Sequence, residues 1–509
     1  MSEGRDDTVK QAGRGALAIA AAKAMFLVSG LGLTLIMPRI ILDASGAQDP
    51  AQFGRYRVSA QTMSILAQAV LLSILQVVSK FSAEQRTAAG HIVRTVAKRA
   101  VPLVLLIGVV AQLISPMLAT NLNDPALTPL LRAAFLIPVF YGLYAHFLGA
   151  VNGVRAFNTQ ALLDGSFSLL KLACIVAGAL LLPRLVQIDN AAAVGGLLGW
   201  ASAAAIIAIA AFVATRNLRK ERSEQGQIDG AAIARFAGGI ILYTLTFELL
   251  KQVDLLVIKS SAAQFGGGEA GQAMVGQYSA AMDFARVPYF IVMGISLVLF
   301  PMLSTGAFAG DDAAVKRYIH NATRFTFGLA AVASVGIFVA APALLPVLFG
   351  AAYEPAVPIL RWLCVGQMAF ALVTISMNIL NASGRPMQAF ILVAVMAGLS
   401  AILVPLGVSQ GGVLGGAAAS VASLWVGALL ALIFIRRSFG ASLALSTGLR
   451  VGSAAFLIGL LALVWQPAGL IEGVAVLAVV GLADLAFLVA TRELGRDDLA
   501  LVKKVIGKG

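Results

Sequence analysis

Apolar runs of about 20 residues follow one another along almost the whole chain, and each is long enough to cross a bilayer as a helix. This pattern predicts an all-α, polytopic membrane protein of about fourteen transmembrane helices. The approximate spans are 15–37, 58–80, 100–120, 131–151, 161–183, 193–215 and 233–258 in the first part of the sequence. They continue with 276–304, 324–349, 357–382, 388–408, 412–435, 450–466 and 471–490. A mean hydropathy of +0.90 and a charged fraction of 12% exclude an ordinary soluble domain, in which roughly a quarter of residues are charged.

The net charge of +13 does not indicate a nucleic-acid partner, because the basic residues lie in short loops rather than in one compact basic domain. Their placement sets the topology instead. With the N-terminus in the cytoplasm, about 26 of the 37 basic residues fall on that side and about 7 on the other. The cytoplasmic set includes Arg94, Lys98 and Arg99, then Arg216, Arg219, Lys220 and Arg222, and later Arg436, Arg437, Lys503 and Lys504. Both termini are therefore expected inside. The polar stretch Ser2 to Arg14 runs into a span too long for a signal-peptide core and is expected to be retained. Cys174 and Cys364 lie in apolar helices, and His91, His146 and His320 form no spaced cluster, so neither a disulfide framework nor a metal site is expected. No phosphate loop, nucleophile motif or zinc signature is present.

The sequence also repeats itself. Gly54-Arg55-Tyr56 is echoed by Gly276-Gln277-Tyr278 at an offset of 222. Leu131-Arg132 and Asn152 are echoed by Leu360-Arg361 and Asn381 at an offset of 229. The glycine-rich run from Gly195 to Ala201 is echoed by Gly411 to Ala417 at an offset of 216. Single matches of such common residues mean little, but their shared order and near-constant spacing predict a duplicated bundle, the architecture of transporters that move one half against the other. Six spans per copy is an even number, so the copies enter the membrane in the same sense as a parallel repeat. The expected organisation is a cytoplasmic N-terminus 1–14, a six-helix lobe 15–218, a linker 219–232, a second six-helix lobe 233–440, an extra helix pair 441–491 and a cytoplasmic tail 492–509. The drop in offset places a shortening of the second copy opposite the connection from Pro183 to Val194.

Ionisable groups within spans cost about 2.5–3.5 kcal/mol even on the lenient insertion scale, so each calls for a partner or an aqueous cavity. Span one holds Lys23, roughly 12 Å from its cytoplasmic end. Span five holds Asp164 and Lys171. Span seven holds Glu248, Lys251 and Asp254 at i,i+3 spacings, and span eight holds Asp283 and Arg286. These can neutralise one another along their own helices. They can also face a cavity, with Lys23, Lys251 and Arg286, joined by Arg55 and Arg57 at the mouth of span two, presented to an anionic headgroup. Glu248, Asp254 and Asp283, with Asn378 and Asn381 in span ten, then form a candidate site for a coupling cation. Asp484 stands alone in the last span and receives no role.

Val275-Gly276-Gln277-Tyr278 through Leu299-Phe300-Pro301, then Leu348-Phe349-Gly350, Leu380-Asn381-Ala382-Ser383-Gly384-Arg385-Pro386 and the Gly411 run, resemble the C-terminal half of lipid-linked oligosaccharide flippases. These form the polysaccharide-transporter branch of the multidrug/oligosaccharidyl-lipid/polysaccharide (MOP) exporter superfamily, and Phe53-Gly54-Arg55-Tyr56 resembles the same family's connection into span two. The resemblance implies two six-helix lobes, alternating access and a central cavity lined by spans one, two, seven and eight. It implies a cargo of polyprenyl-diphosphate-linked saccharide (an O-antigen, capsule or exopolysaccharide unit) carried from the inner to the outer leaflet of a bacterial cytoplasmic membrane. Lys23 and Arg286 are similar in position to the family's basic lumen residues, although related peptidoglycan-precursor flippases carry more bases in span one.

The expected protein is thus a transporter and not an enzyme. It needs no cofactor beyond a Na+ or H+ gradient or the membrane potential, acts as a monomer in the lipid bilayer, and has glycan polymerases or glycosyltransferases as candidate partners. The alternatives are a cation-coupled multidrug extruder of the same superfamily, a peptidoglycan-precursor flippase and, from another class, a membrane glycosyltransferase or polymerase. The last should carry a large outer loop or an acidic metal motif, and the sequence has neither.

Overall fold

A computed structural model describes residues 22, 25–26, 28–42, 46–217, 230–265, 268–289, 312–383, 385–491 and 493. The N-terminal segment 1–14, most of the linker 219–232 and all but one residue of the tail 492–509 lie outside them. The described chain is almost wholly helical. In order, the helices are α1 (Val28–Ile40), α2 (Pro50–Glu84), α3 (Ala89–Asn121), α4 (Leu127–Gly153), α5 (Phe157–Leu185), α6 (Ala191–Ala214) and α7 (Gly230–Ser260). There follow α8 (Gly268–Ala285), α9 (Asp312–Phe349), α10 (Val357–Ala382), α11 (386–410), α12 (413–439), α13 (Leu445–Val464) and α14 (Gly469–Ala490).

Eleven helices among the described residues are long and apolar enough to span a membrane, and one of these, Met387–Phe439, comprises both α11 and α12. The break between them is Gly411–Gly412, where Gly412 adopts φ 60° and ψ −144°, a conformation essentially restricted to glycine. The equivalent connection in the first copy, between α5 and α6, is the longer segment 186–190. With the shorter α1 and α8, the helices match the expected polytopic all-α fold of about fourteen spans.

The helix faces sort by environment. On α3, Leu103, Leu106, Val110, Leu113 and Met117 are exposed at spacings of three and four, a lipid-facing stripe. Val104, Gly108, Ala111, Ser115 and Ala119 form the opposite, buried stripe. Lipid is as apolar as leucine, so helices in a bilayer associate through close packing rather than hydrophobic exclusion, and small residues permit that closeness.

By contacts the chain forms two units, Met1–Gly276 and Gln277–Gly509. In the first, α7 lies antiparallel along α2. Gln252 Nε2 donates to Ser64 Oγ at 3.5 Å midway, and the Lys80 ammonium sits 4.3 Å from the centre of the Phe236 ring further on. The α5–α6 crossing is a glycine contact: a Cβ on Gly178 would lie 2.9 Å from the Gly195 carbonyl carbon and 3.3 Å from Gly199 Cα. The second unit repeats it between α11 and α12, where a Cβ on Gly407 would lie 2.9 Å from the Gly415 carbonyl carbon. Gly407 and Gly415 follow Gly178 and Gly199 by 229 and 216 residues, the two offsets of the sequence repeat. Leu131 and Leu360 match in the same way, both fully buried. In the second unit α14 packs on α9, with a Cβ on Gly473 falling 3.0 Å from that of Ala343, and α13 is tied in by Thr447 donating to Glu493 at 2.8 Å.

The repeat's opening glycines touch each other. A Cβ on Gly54 would stand 2.7 Å from the Gly276 backbone nitrogen, and one on Gly276 would collide with the Pro50 carbonyl. Gly276→Ala is expected to cost about 1–3 kcal/mol through forced displacement of backbone. Gly238→Ala, where nothing lies within 4 Å, should be neutral or stabilising. Thermal unfolding of the purified variants in detergent tests the contrast, and equal melting temperatures would contradict it.

Candidate functional site: an ion cluster and the charged helices

The short loop between α3 and α4 is punctuated by Asn123 in the left-handed region (φ 54°), which turns the chain back and directs Asp124 inward. There its Oδ2 accepts two cationic donors, Arg55 Nε at 2.9 Å and Lys259 Nζ at 2.7 Å. Arg55 stands in the first two turns of α2 and Lys259 in the last turn of α7. Lys259 also donates to Gln272 Oε1 of α8, and Arg55 Nη1 donates to Asn190 Oδ1, just before α6, at 3.2 Å. Asn123 Nδ2 caps the cluster by donating to the Ser260 carbonyl at 2.7 Å. Five chain segments thus meet in one cluster, with Arg55 and Lys259 bonded directly to its carboxylate.

The Lys259 side chain is 0% exposed and that of Asp124 7%. Burial by itself would raise the Asp124 carboxyl, but the hydrogen bond and charge of Lys259, with those of Arg55, outweigh it and hold the group below its ordinary value of 3.8. One acid faces two bases, so the cluster carries an excess positive charge.

Of the expected headgroup residues, Lys23 lies outside the described residues. Arg55 is engaged by Asp124 and Asn190, as above. Arg57 lies two residues further along α2, half-buried. Lys251 is half-buried and donates to Glu248 Oε1 at 2.6 Å, so this half of the span-seven ladder is formed. Its ammonium also lies 5.2 Å from the Phe247 ring centre. Arg286 is half-buried at the end of α8 and donates to Met282 Sδ at 3.4 Å. Among the expected cation ligands, Glu248, Asp254 and Asp283 are buried at 6–8% exposure. Asp254 Oδ1 accepts the Leu255 N–H at 2.8 Å. Asn378 and Asn381 are half-buried near the end of α10. Glu248 and Asp254 belong to the first unit, and Asp283, Asn378 and Asn381 to the second. No group of three or more His, Cys, Asp or Glu among the described residues is arranged to hold a metal ion.

The sequence reading missed Asp124, Lys259 and Gln272. Asp124 sits between spans, where a charge looks solvated, and Lys259 at a span end, where snorkelling is usual. Asp124 and Lys259 are 135 residues apart, so their pairing has no local signature. The one available signal was the coincidence of opposite charges at span ends expected on the same membrane side.

Removing one partner of a buried ion pair strands the other, at a cost of about 3–5 kcal/mol. Asp124→Asn should therefore lower stability by about that amount at neutral pH. The sign with pH follows from the lowered carboxyl: its stabilisation is complete above the ordinary carboxylate range and is lost as pH falls through the lowered folded-state value. The gap in melting temperature between wild type and Asp124→Asn should accordingly persist to mildly acidic pH and close only in strong acid. A gap that already closes near neutrality would rule out an ionised Asp124 as its source.

The fold and the cluster can be set beside known proteins. A sequence model of the lipid II flippase MurJ family matches residues 63–480. No curated protein sequence matches the chain. Among solved structures, the inward closed conformation of the lipid II flippase MurJ superposes with a TM-score of 0.71 at 13% identity, covering 93% of this chain and 99% of that one. An inward-facing multidrug resistance MATE family transporter of the MOP superfamily gives 0.58 at 15% identity over 83% of this chain and 94% of that one. A MOP superfamily transporter from Pyrococcus furiosus gives 0.57 at 13% identity, with 84% and 95% covered. At such identities the superpositions establish the fold alone, while the family match covers most of the sequence. The chain is a member of the MurJ family of lipid II flippases.

Proposed function

We propose that the protein carries a polyprenyl-diphosphate-linked saccharide from the cytoplasmic to the outer leaflet of a bacterial cytoplasmic membrane by alternating access. The observation that carries this reading is the flippase-family match over residues 63–480. The peptidoglycan precursor and a surface-glycan unit share the diphosphate and the lipid, and differ in the saccharide. The family's name favours the former; the single base of span one favours the latter. A multidrug extruder of the same fold accounts less well for a flippase-family sequence.

In this reading both termini face the cytoplasm, as the basic loops require, and the Arg55–Asp124–Lys259 cluster lies at the outer end. There it holds α7 and α8 against α2 as a latch that keeps the outer side closed while cargo enters from within. Lys23, Arg57, Lys251 and Arg286 supply positive charge to the diphosphate. Glu248 and Asp254, with Asp283, Asn378 and Asn381, are the candidates for a coupling Na+ or H+, and the membrane potential, negative inside, favours outward movement of an anion. The chain works in the bilayer without an organic cofactor, as a monomer, and hands its cargo to glycan polymerases or glycosyltransferases.

Depleting the protein should make one lipid-linked saccharide accumulate on the inner leaflet, and mass spectrometry of the extracted lipids identifies which. A lipid profile unchanged on depletion would sink the proposal. Lys23→Ala and Arg286→Ala should each abolish complementation while the protein stays at normal level in the membrane. Full complementation by both removes them from the cargo path. Glu248→Gln should alter the dependence of transport in proteoliposomes on an imposed Na+ or H+ gradient. An identical rate with the gradient collapsed would leave that carboxylate a purely structural partner of Lys251.

A further inference from the structure

The buried lysines of the first unit are not alike. Lys259 has Asp124 and Lys251 has Glu248, each within 2.7 Å. Lys171, in the middle of α5, has no carboxylate partner among the described residues. Its ammonium lies 3.8 Å from the centre of the Trp200 ring and 5.4 Å from that of Phe26. Asp164, two turns earlier on the same helix, accepts the Tyr144 hydroxyl at 3.4 Å rather than pairing with it. Among the described residues, the charge acting on Lys171 is a like one, the Arg57 guanidinium of α2.

Its position within the helix shows which way Lys171 points. Gln160, Asp164, Phe167, Ser168, Ile175 and Ala179 are the buried residues of α5 at spacings of three and four, and Lys171 falls in that row. The lipid face is elsewhere, at Leu162, Leu169 and Leu181. Lys171 is half-buried on that face. Aromatic faces attract an ammonium but do not neutralise it. The frame is also fixed in orientation: Trp200 Nε1 donates to Tyr141 Oη at 2.9 Å, and Phe167 packs edge-on against Tyr141 at 5.7 Å.

A cation held inside a membrane bundle by rings, next to a second positive charge, is completed by an anion. We propose that Lys171, assisted by the charge of Arg57, is an anion-binding point within the first bundle that takes phosphate oxygens of the cargo's diphosphate. This rests on the flippase reading and adds to it a residue on α5, away from the bases of spans one, seven and eight. Lys171 offers N–H donors to phosphate, the rings hold its stem and head in place, and Trp200 reports on what arrives there.

The test uses the full-length protein in detergent, with Trp362, Trp425 and Trp465 changed to Phe so that Trp200 alone fluoresces. The probe is farnesyl diphosphate, with farnesol as the uncharged control. Farnesyl diphosphate should change Trp200 emission saturably and farnesol should not. Lys171→Gln should weaken binding at least about tenfold, the scale of one charged hydrogen bond, and Lys171→Arg should restore most of it. Lys171→Arg also shows that any loss in the Gln variant is not misfolding, since both keep the bulk of the stem. Wild-type affinity in Lys171→Gln would overturn the inference and leave the flippase reading standing. So would an emission change that follows pH alone, which would make Lys171 a proton site. Failure of the parent protein to bind farnesyl diphosphate at all would count against both.

Discussion

A lysine ammonium without solvent exposure, as Lys259 is, must be neutralised where it stands, and much of the first unit is arranged to do this. Its partner Asp124 comes from a loop of only a few residues, which must fold inward through the left-handed Asn123 to reach it. The same carboxylate oxygen takes Arg55, so α2, α7 and the α3–α4 loop share one acceptor. Such a cluster behaves as a unit. Removing any member leaves the others with uncompensated charge or unmet donors, so it is either assembled or open, with little between.

The two ends of the α2–α7 pair are therefore unequal. At the Lys259 end lie the ion cluster and the backbone contact of Gly54 with Gly276, which a single added carbon would obstruct. At the other end the Lys80 ammonium lies over the Phe236 ring, and Val77, Val78 and Phe81 share one apolar cluster with Ile233, Phe236 and Ala237.

The fold was largely legible because lipid leaves a chain few options. Apolar run length gave the helices, and the lipid-facing stripe of α3 follows the helical period. The two offsets of the expected repeat reappear at one place in each unit: Gly178 with Gly199 and Gly407 with Gly415 make close glycine crossings, and the connection after Gly407 is the two-glycine break at Gly411–Gly412. Local charge pairs were readable where they were local, as with Glu248 and Lys251 at i,i+3. Contacts between distant segments were not. Arg55, expected to face a headgroup, turned out to hold Asp124, a residue in a loop that spacing rules ignore. Lys23 lies outside the described residues, so the sequence remains the only statement about it.

The sequence alone places most buried charge in spans seven and eight, in the second copy. By contacts, α7 belongs with the first unit, and Lys251 and Lys259 each have an acid there: Glu248 for Lys251 and, for Lys259, Asp124, which it shares with Arg55. Any anion would meet such a pair as a dipole, because the carboxylate that satisfies the lysine also repels the anion. At about 4 Å and an effective dielectric constant of 20, one unit charge attracts another by about 4 kcal/mol, and a nearby opposite charge removes most of that. Capture of an anion therefore depends on cations that lack an acid, not on the number of bases in a helix. In the first unit Lys171 meets that condition, since its neighbours are aromatic faces and a second positive charge. Of the paired lysines, Lys259 suits a different task, tying α7 to α2 and to the α3–α4 loop through Asp124.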